Sequence, residues 1–444
     1  MERYAAYKDS GVEWIGEIPD GWEVKQIKRL SIVRRGASPR PIADPKYFDN
    51  EGEYAWVRIA DVSASERYLE NSTQTLSELG SSLSIKMQPD NIFLSIAGTV
   101  GKPIITKIKC CIHDGFVYFP NLKINPEYLY FIFSTGLPYQ GLGKWGTQLN
   151  LNTDTVGEIT IPLPTTNEIT AIVSYLDRKT AEIDALIAQK QRLIELYQEE
   201  KTAIINQAVT QGINPNAEFK DSGINWLGEI PVGWEVKKLK YLADARPSNI
   251  DKKSKDEEGA VLLCNYVDVY KNEFISSELV FMMATASQEQ KEKFLLQKGD
   301  VLVTKDSETP NDIAIPALVI EDFDNVVCGY HLTHIKPKKI IGSYLFRYFQ
   351  TKYLSSYFEV SANGVTRYGL GVDKFGSALI LNPPTEEQTA IFHHIEIETS
   401  RIDAKIAKTQ CIVELQKEYR TALISEVVTG KIKVSHPAGK EITL

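Results

Sequence analysis

The chain repeats itself, so any fold it adopts has to be built twice. Tyr7 to Leu30 reads YKDSGVEWIGEIPDGWEVKQIKRL and Phe219 to Leu242 reads FKDSGINWLGEIPVGWEVKKLKYL, 212 residues apart and identical at sixteen of twenty-four positions. A second match follows at an offset of 219. Pro164, Thr166, Ala171-Ile172, Ile183-Asp184-Ala185, Glu195-Leu196 and Val209-Thr210 recur as Pro383, Thr385, Ala390-Ile391, Ile402-Asp403-Ala404, Glu414-Leu415 and Val428-Thr429. Two matches in the same order are the mark of a tandem duplication.

The intervening stretches, 31–160 and 243–379, resemble each other far less. Faint echoes remain, such as Ile59-Ala60-Asp61-Val62 beside Tyr266-Val267-Asp268-Val269, and Pro89-Asp90-Asn91-Ile92 beside Lys298-Gly299-Asp300-Val301. Drift alone would spare core positions anywhere along the chain. Divergence confined to two blocks points to one shared frame carrying two different variable surfaces.

Part of the frame is helical. Ile169 to Ala208 contains no Gly or Pro, and Leu176, Ile183, Leu186, Ile187, Leu193, Ile194, Tyr197 and Ile204 recur at steps of three and four. Thr165, Thr166 or Asn167 can cap its start, after a strand ended by Pro162 and Pro164. The copy spans Glu387 to Val428, with Ile395, Ile402, Ile406, Ile412, Val413, Leu415, Tyr419 and Leu423 on its stripe. About forty residues at about 1.5 Å each make a rod of roughly 60 Å. So long an apolar stripe needs a partner, and two copies related by a pseudo-twofold axis would pair antiparallel. The expected seam is Leu176, Ile183, Ile187, Ile194 and Ile204 on the first helix, facing Ile395, Ile402, Ile406, Val413 and Leu423 on the second.

Each variable block reads as strands mixed with short apolar helices. In the first, Tyr54–Val62, Ile92–Ile96, Ile104–Ile108, Phe116–Phe119 and Glu158–Pro162 are strand-like, and Tyr128–Ser134 is helical. The second offers strands at Ala260–Tyr266, Asp300–Thr304, Ala314–Ile320 and Leu379–Leu381, with a helix over Tyr344–Tyr353.

Composition bounds the class. With 444 residues, 43% hydrophobic and 24% charged, the chain has ample core for roughly two to four domains and is neither disordered nor fibrous. No apolar run is long enough to cross a bilayer. No signal peptide is visible at the start, and five scattered cysteines fit a reducing compartment, so a cytoplasmic protein without membrane partners is expected. Fifty basic against fifty-eight acidic side chains give a net charge of −8, so any nucleic-acid surface has to be local.

Motifs that would carry catalysis fail on spacing. Asn382-Pro383-Pro384-Thr385 resembles a methyltransferase loop but has Thr in place of its aromatic, no glycine-rich cofactor loop upstream, and the position of a helix start. Gly98-Thr99-Val100-Gly101-Lys102 has two residues between its glycines where a phosphate loop needs four. Cys110, Cys111 and His113, or Cys328, His331 and His334, lack a convincing second half for zinc. Glu199 and Lys201 lie on the long helix without a partner Asp.

Local basicity survives. Lys25, Lys28, Arg29, Arg34, Arg35 and Arg40 fall between Val24 and Ala43 with no acid among them, and Gly36-Ala37-Ser38-Pro39 is expected to be a flexible turn that lets them approach a duplex. The second half offers Arg246, Lys252 and Lys253 among others, diluted by Asp244 and Asp251. Lys144-Trp145-Gly146-Thr147-Gln148 and Gly364-Val365-Thr366-Arg367-Tyr368 stand in equivalent places, and a Gly loop with Gln or Arg suits bidentate contacts to base edges.

As a set, the duplicated SG-x-x-W-x-G-E-I-P-x-G-W-E-V-K opening, Trp56-Val57-Arg58-Ile59-Ala60-Asp61-Val62, the Gly98–Lys102 turn and the Pro-led helices with Ile-Asp inside them resemble the specificity (S) subunit of type I restriction–modification systems, over nearly the whole chain. The resemblance implies an α+β protein: a tandem pseudo-twofold duplication with two globular α/β target-recognition domains joined by two long antiparallel helices, as a coiled coil. The corresponding boundaries are 1–160 for the first recognition domain, 161–213 for the first helix, 214–379 for the second domain and 380–444 for the second helix and tail. Each domain would read one half of an asymmetric bipartite site in double-stranded DNA, while the helices act as a ruler and dock two methyltransferase subunits. S-adenosylmethionine, ATP and magnesium would sit on the methyltransferase and restriction subunits, with no cofactor or metal in this non-catalytic chain.

The candidate DNA contacts are Arg34, Arg35, Ser38, Arg40, Arg58, Lys102, Lys144, Thr147 and Gln148 in the first half, and Arg246, Ser248, Lys252, Lys253, Lys305, Thr366, Arg367 and Tyr368 in the second. The second half departs from the first, with Ala245-Arg246-Pro247-Ser248 in place of Gly36-Ala37-Ser38-Pro39 and without the Gly-Thr-Val-Gly-Lys turn. The competing readings are a standalone methyltransferase–nuclease fusion, which would need a cofactor loop and a catalytic set, and a coiled-coil scaffold that binds no DNA.

Overall fold

The computed structural model describes residues 2–142, 151–224 and 227–434. Contacts gather into two compact units, one of Met1–Lys190 with Cys411–Leu444 and one of Gln191–Gln410.

In the first unit a five-stranded sheet runs in the order Arg34–Arg35, Phe116–Tyr118, Ile92–Ser95, Pro103–Thr106, Tyr68–Leu69. All its pairs are antiparallel except the last. Its central strands, Ile92–Ser95 and Pro103–Thr106, are buried at every residue, as strands covered on both faces must be. A second sheet is ordered Thr75–Leu76, Tyr54–Val57, Cys110–Ile112, Ile85–Met87. The apolar helix Pro126–Ser134, started by Asn125, covers the core.

The second unit repeats this plan with mostly different side chains. Its five-stranded sheet is Ala243–Pro247, Leu332–Pro337, Val301–Thr304, Pro316–Val319, Phe274–Ile275, again parallel only at the last pair. The second sheet keeps three strands, Met282–Ala286, Gly259–Cys264 and Val326–Cys328. The helix Gly342–Phe349 takes the covering role, and a further helix, Lys352–Ser361, follows it. The unit also carries a small three-stranded sheet of Asp306–Ser307, Tyr368–Gly369 and Asn363–Gly364.

The strands expected at Tyr54–Val62 and Ala260–Tyr266 stop early. Short helices Ile59–Ala64 and Tyr266–Lys271 replace their ends. The cause is local: the Asp61 carboxylate accepts the Arg58 backbone N–H at 2.8 Å, and Asp268 accepts that of Asn265 at 2.7 Å, each a helix-starting contact.

The long helices span Thr166–Gln211 and Thr385–Val428. Thr165 is the residue that starts the first, exchanging hydrogen bonds with Glu168 in a capping box. Within the first unit, Ile169, Leu176 and Ile183 share a core with Leu423, Ile424 and Val428. Within the second, Ile205 and Val209 share one with Ile391 and Ile395. The expected seam is buried at Leu176, Ile183, Ile395, Ile402, Val413 and Leu423, and half-buried at Ile187, Ile194, Ile204 and Ile406. Leu415 and Tyr419 are exposed instead; Leu415 stands two positions from buried Val413, about 200° around the helix.

The pairing is antiparallel, and an ion pair is made twice. Lys201 meets Asp403 at 2.9 Å in the second unit, and Arg420 meets Asp184 at 2.9 Å in the first. Adding 219 turns 184 into 403 and 201 into 420, so the two pairs are the same contact with its halves exchanged.

Other joints are duplicated as well. Trp22 donates its indole N–H to Glu168 at 3.1 Å, and Trp234 donates to Glu387 at 2.9 Å. The fully buried Tyr128 hydroxyl lies 3.1 Å from the Pro162 carbonyl and 3.2 Å from that of Val428. Tyr344 makes the equivalent contacts to Leu381 at 3.2 Å and Val209 at 3.3 Å. Each tyrosine thereby reaches a carbonyl in the last turn of a long helix, where backbone acceptors lack partners. Burial raises both phenols well above their ordinary pKa.

A third joint is kept with its charges swapped. In the first unit Arg67, just before the edge strand, pairs with Glu127 on the covering helix and with Asp177 on the long helix, the latter at 2.5 Å. In the second, the cation sits on the covering helix as Arg347. It binds Glu273, just before the edge strand, at 3.0 Å, and Glu396 on the long helix at 2.5 Å.

Candidate nucleic-acid interface

The first unit's basic cluster lies on a sheet edge. Arg34 and Arg35 form a two-residue strand opposite Tyr118 and Val117, and both are exposed. The following segment is held down rather than flexible, which corrects the expectation for Gly36–Pro39. The Gly36 N–H donates to Phe116 O at 2.9 Å, Ala37 N–H to Ile112 O at 3.1 Å, and Ser84 Oγ to Ala37 O at 2.7 Å.

Asp114 organises this edge. Its carboxylate accepts from Ser38 Oγ at 3.2 Å and Arg40 Nη2 at 3.0 Å, and its carbonyl accepts from Arg35 Nε. One acid therefore fixes the direction of a cluster that keeps net positive charge, and the Arg40 side chain remains 78% exposed. Lys25 and Lys28, also in the basic run, pair with Glu23 and Glu158.

Two motifs separated in sequence meet nearby. Arg58 precedes the helix Ile59–Ala64, with its guanidinium 3.5 Å from Asp61 and bonded to Thr73. Against the same helix lies the Gly98–Lys102 turn, through Ser63 Oγ to Thr99 Oγ1 at 2.7 Å and Lys102 Nζ to Ser63 O at 3.2 Å. Gly98 is at φ +67 with Ile59 where a Cβ would go, so the glycine serves packing rather than a phosphate. Burial lowers the Lys102 pKa. Lys144, Thr147 and Gln148 lie outside the described residues.

In the second unit Arg246 is half-exposed and bonded at 2.8 Å to Asp244, which Lys338 also binds at 2.7 Å. Ser248 is buried, its hydroxyl donating to Cys328 O at 2.5 Å, which places it inside the fold rather than on a DNA-facing surface. Lys252 and Lys253 are exposed on the loop after it. Lys305 turns inward, with Nζ 3.0 Å from Ser248 O and 4.3 Å from the Tyr330 ring centre, and burial lowers its pKa.

Thr366 and Arg367 are exposed on the tip joining Asn363–Gly364 to Tyr368–Gly369, and Tyr368 is half-buried. Arg367 Nη2 binds Asp306 Oδ1 at 2.8 Å, and His331 Nδ1 lies 2.8 Å from the other carboxylate oxygen. Sequence reasoning missed Asp114, Asp306 and the role of His331, because each acts on a cation more than thirty residues away in the chain.

Neither imagined zinc set assembles. Burial raises the Cys110 thiol to about 12 and Cys111 to about 11. His334 is buried against Asp300 at 2.7 Å while His331 faces Asp306. Among the described residues no cluster of three metal-ligating side chains forms, and no helix is long and apolar enough to cross a membrane. What the exposed charges offer is binding to a polyanion and, through arginine forks, to base edges.

The model of the type I restriction modification DNA specificity domain matches the chain twice, over residues 19–196 and 231–410. The chain belongs to that family. A type I specificity subunit is the DNA-specificity component of a restriction–modification complex and is itself non-catalytic. Among relatives of this specificity subunit, a putative type I restriction enzyme MjaX specificity subunit from Methanocaldococcus jannaschii is 24% identical, covering 95% of this chain and 96% of its own. The MjaIX specificity subunit of the same organism is also 24% identical, covering 95% of each chain. A solved chain from work on assembly and conformational transition of the type I system has the same fold, with a TM-score of 0.71, 13% identity and coverage of 94% of this chain and 99% of its own. The HsdS subunit from Thermoanaerobacter tengcongensis aligns with a TM-score of 0.51 at 14% identity, over 94% of this chain and 98% of its own.

Proposed function

We propose that the two units of this specificity subunit read the unlike halves of an asymmetric bipartite site in double-stranded DNA, in the cytoplasm. The observation that carries the reading is a conserved sheet order bearing unlike exposed charges. The first unit presents Arg35 and Arg40 around Asp114, with Arg34 exposed on the same edge strand. The second presents Arg367 on a hairpin that belongs to a sheet of its own. Lys102, Lys252 and Lys253 fit phosphate contacts, which position a protein without reading sequence.

The long helices set the spacing of the halves and dock two methyltransferase subunits, with restriction subunits joining them. Leu196 and Leu415 support paired docking: they are equivalent in the repeat, lie on the long helices, and are 44% and 55% exposed. S-adenosylmethionine, ATP and magnesium belong to those partners.

Replacing 243–379 by the corresponding block of a relative, followed by sequencing of methylated DNA from cells expressing the full complex, tests the division of labour. One half of the methylated motif should change and the other persist. If both halves changed together, the two-reader assignment would fail. A complex whose duplex binding is indifferent to sequence and salt would favour a scaffold that reads nothing.

A further inference from the structure

We infer that Arg367 reads a guanine in the second unit's half-site, and that Asp306, braced by His331, is the residue that aims it. This rests on the two-reader function proposed above and adds to it a base, a reading side chain and a positioning residue.

The hairpin is shaped to project. Gly364 pairs with Tyr368 and Asn363 with Gly369, leaving Val365, Thr366 and Arg367 as the tip, with Val365 89% exposed. Gly364 sits at φ +154, and a Cβ there would lie 1.9 Å from the Arg367 carbonyl, so the close return of the ribbon depends on glycine. A two-stranded ribbon is one of the few elements that the major groove admits.

The guanidinium is held on one side only. Asp306 Oδ1 accepts from Arg367 Nη2 at 2.8 Å, and His331 Nδ1 lies 3.3 Å from the same nitrogen. His331 Nδ1 is also 2.8 Å from Asp306 Oδ2, so both carboxylate oxygens are engaged and the carboxylate cannot swing freely. Among the described residues Arg367 Nη1 and Nε have no hydrogen-bond partner, and the side chain stays 59% exposed. Nη2 uses one N–H on Asp306, and its second N–H runs parallel to that of the neighbour, Nη1 or Nε, on its open edge, so one two-donor edge of the guanidinium is left for a base. Guanine presents two acceptors, O6 and N7, on its major-groove edge, whereas adenine sets an amino donor beside N7, so the fork selects guanine.

The unit's other candidate cations fit this role less well. Arg246 is tied to Asp244 on a sheet strand, and Lys305 is drawn inward over Tyr330. Lys252 and Lys253 are point charges that can meet a phosphate but lack the planar fork.

The test uses the full chain reconstituted with its methyltransferase partners. The half-site that changes on exchange of 243–379 is identified first, and each of its guanines is then replaced in turn by adenine in binding duplexes. The intact complex should discriminate against every replacement. Arg367→Ala and Arg367→Lys should both lose about 5–150-fold discrimination at one guanine and keep it elsewhere, the range a bidentate contact supplies. Arg367→Lys should do so with the salt dependence unchanged, and Asp306→Asn should weaken the same position by a smaller factor. Retained discrimination at every guanine in Arg367→Ala, or uniform weakening of all duplexes with a shallower salt slope, would overturn the assignment while leaving the two-reader function standing. An intact complex with no sequence preference would overturn both.

Discussion

Replacing Arg347 by Met should loosen the second unit at the joint between its covering helix and the long helix. The Arg347 side chain is 2% exposed and packs 4.7 Å from the Phe346 ring centre. Its guanidinium holds Glu396 at 2.9 Å through Nε, Glu273 at 3.0 Å and the Gln350 side-chain oxygen Oε1 at 2.8 Å. Methionine fills much of the volume but leaves Glu396 without its cation and Glu273 with the Gln350 amide at 3.1 Å and Lys201 at 3.9 Å. Removing one partner of a buried pair costs about 3–5 kcal/mol. Glu273 and Glu396 are 40% and 31% exposed, so water can reach the abandoned acids and the lower end of that range applies. Hydrogen exchange over Gly342–Phe349 reads the local opening directly. At about 1.4 kcal/mol per factor of ten, a loss of about 3 kcal/mol lowers protection roughly a hundredfold. Arg347→Lys should fall between, because an ammonium cannot bridge the acids as a fork does. Protection within a factor of about three of the parent, near 0.6 kcal/mol, would refute the view that this cation holds the joint.

Two further outcomes follow from the charges described. Arg40→Ala should weaken binding to all duplexes alike and reduce the salt slope by about one, measured by titration at several salt concentrations, because its exposed guanidinium suits a phosphate. Burial holds the His334 imidazole below its ordinary pKa of about 6.5, against the opposing pull of Asp300, and burial lowers His113 as well. The unfolded chain then binds protons that the folded chain refuses, so stability present above about pH 6.5 should decline as pH falls below it. Thermal unfolding between pH 7.5 and 5.5 should show that decline, and a His334→Gln variant with an unaltered profile would remove His334 from the cause.

The frame was legible because its signals are periodic or repeated. The stripe through Leu176 and Ile183 marked a helix, the second copy marked its partner, and Trp22 and Trp234 reappeared in matching contacts. The candidate DNA-facing surface was legible only as composition. Arg40 and Arg367 were visible as cations, but their orientation depends on Asp114 and Asp306, whose approach is set by sheet pairing that no local pattern encodes. Ser248 shows the opposite failure: a polar residue in a basic stretch looks exposed, yet the Cys328 carbonyl satisfies it inside the core. Gly36 suggests a flexible turn because glycine permits motion, whereas here it lets the chain lie flat against Ile112–His113.

The swapped charges of the Arg67 and Arg347 joints bear on how such a chain can acquire a new specificity. In each unit the arginine and one glutamate lie inside the variable block, and only the second acid, Asp177 or Glu396, belongs to the long helix. A block transplanted by recombination therefore brings its own cation and half of its own counter-charge, and asks of the recipient helix only a carboxylate. Either block would find one in either frame. Exchange of a block between frames then needs no compensating change in the helices, and a block lacking that arginine would sit on its helix through a weaker joint.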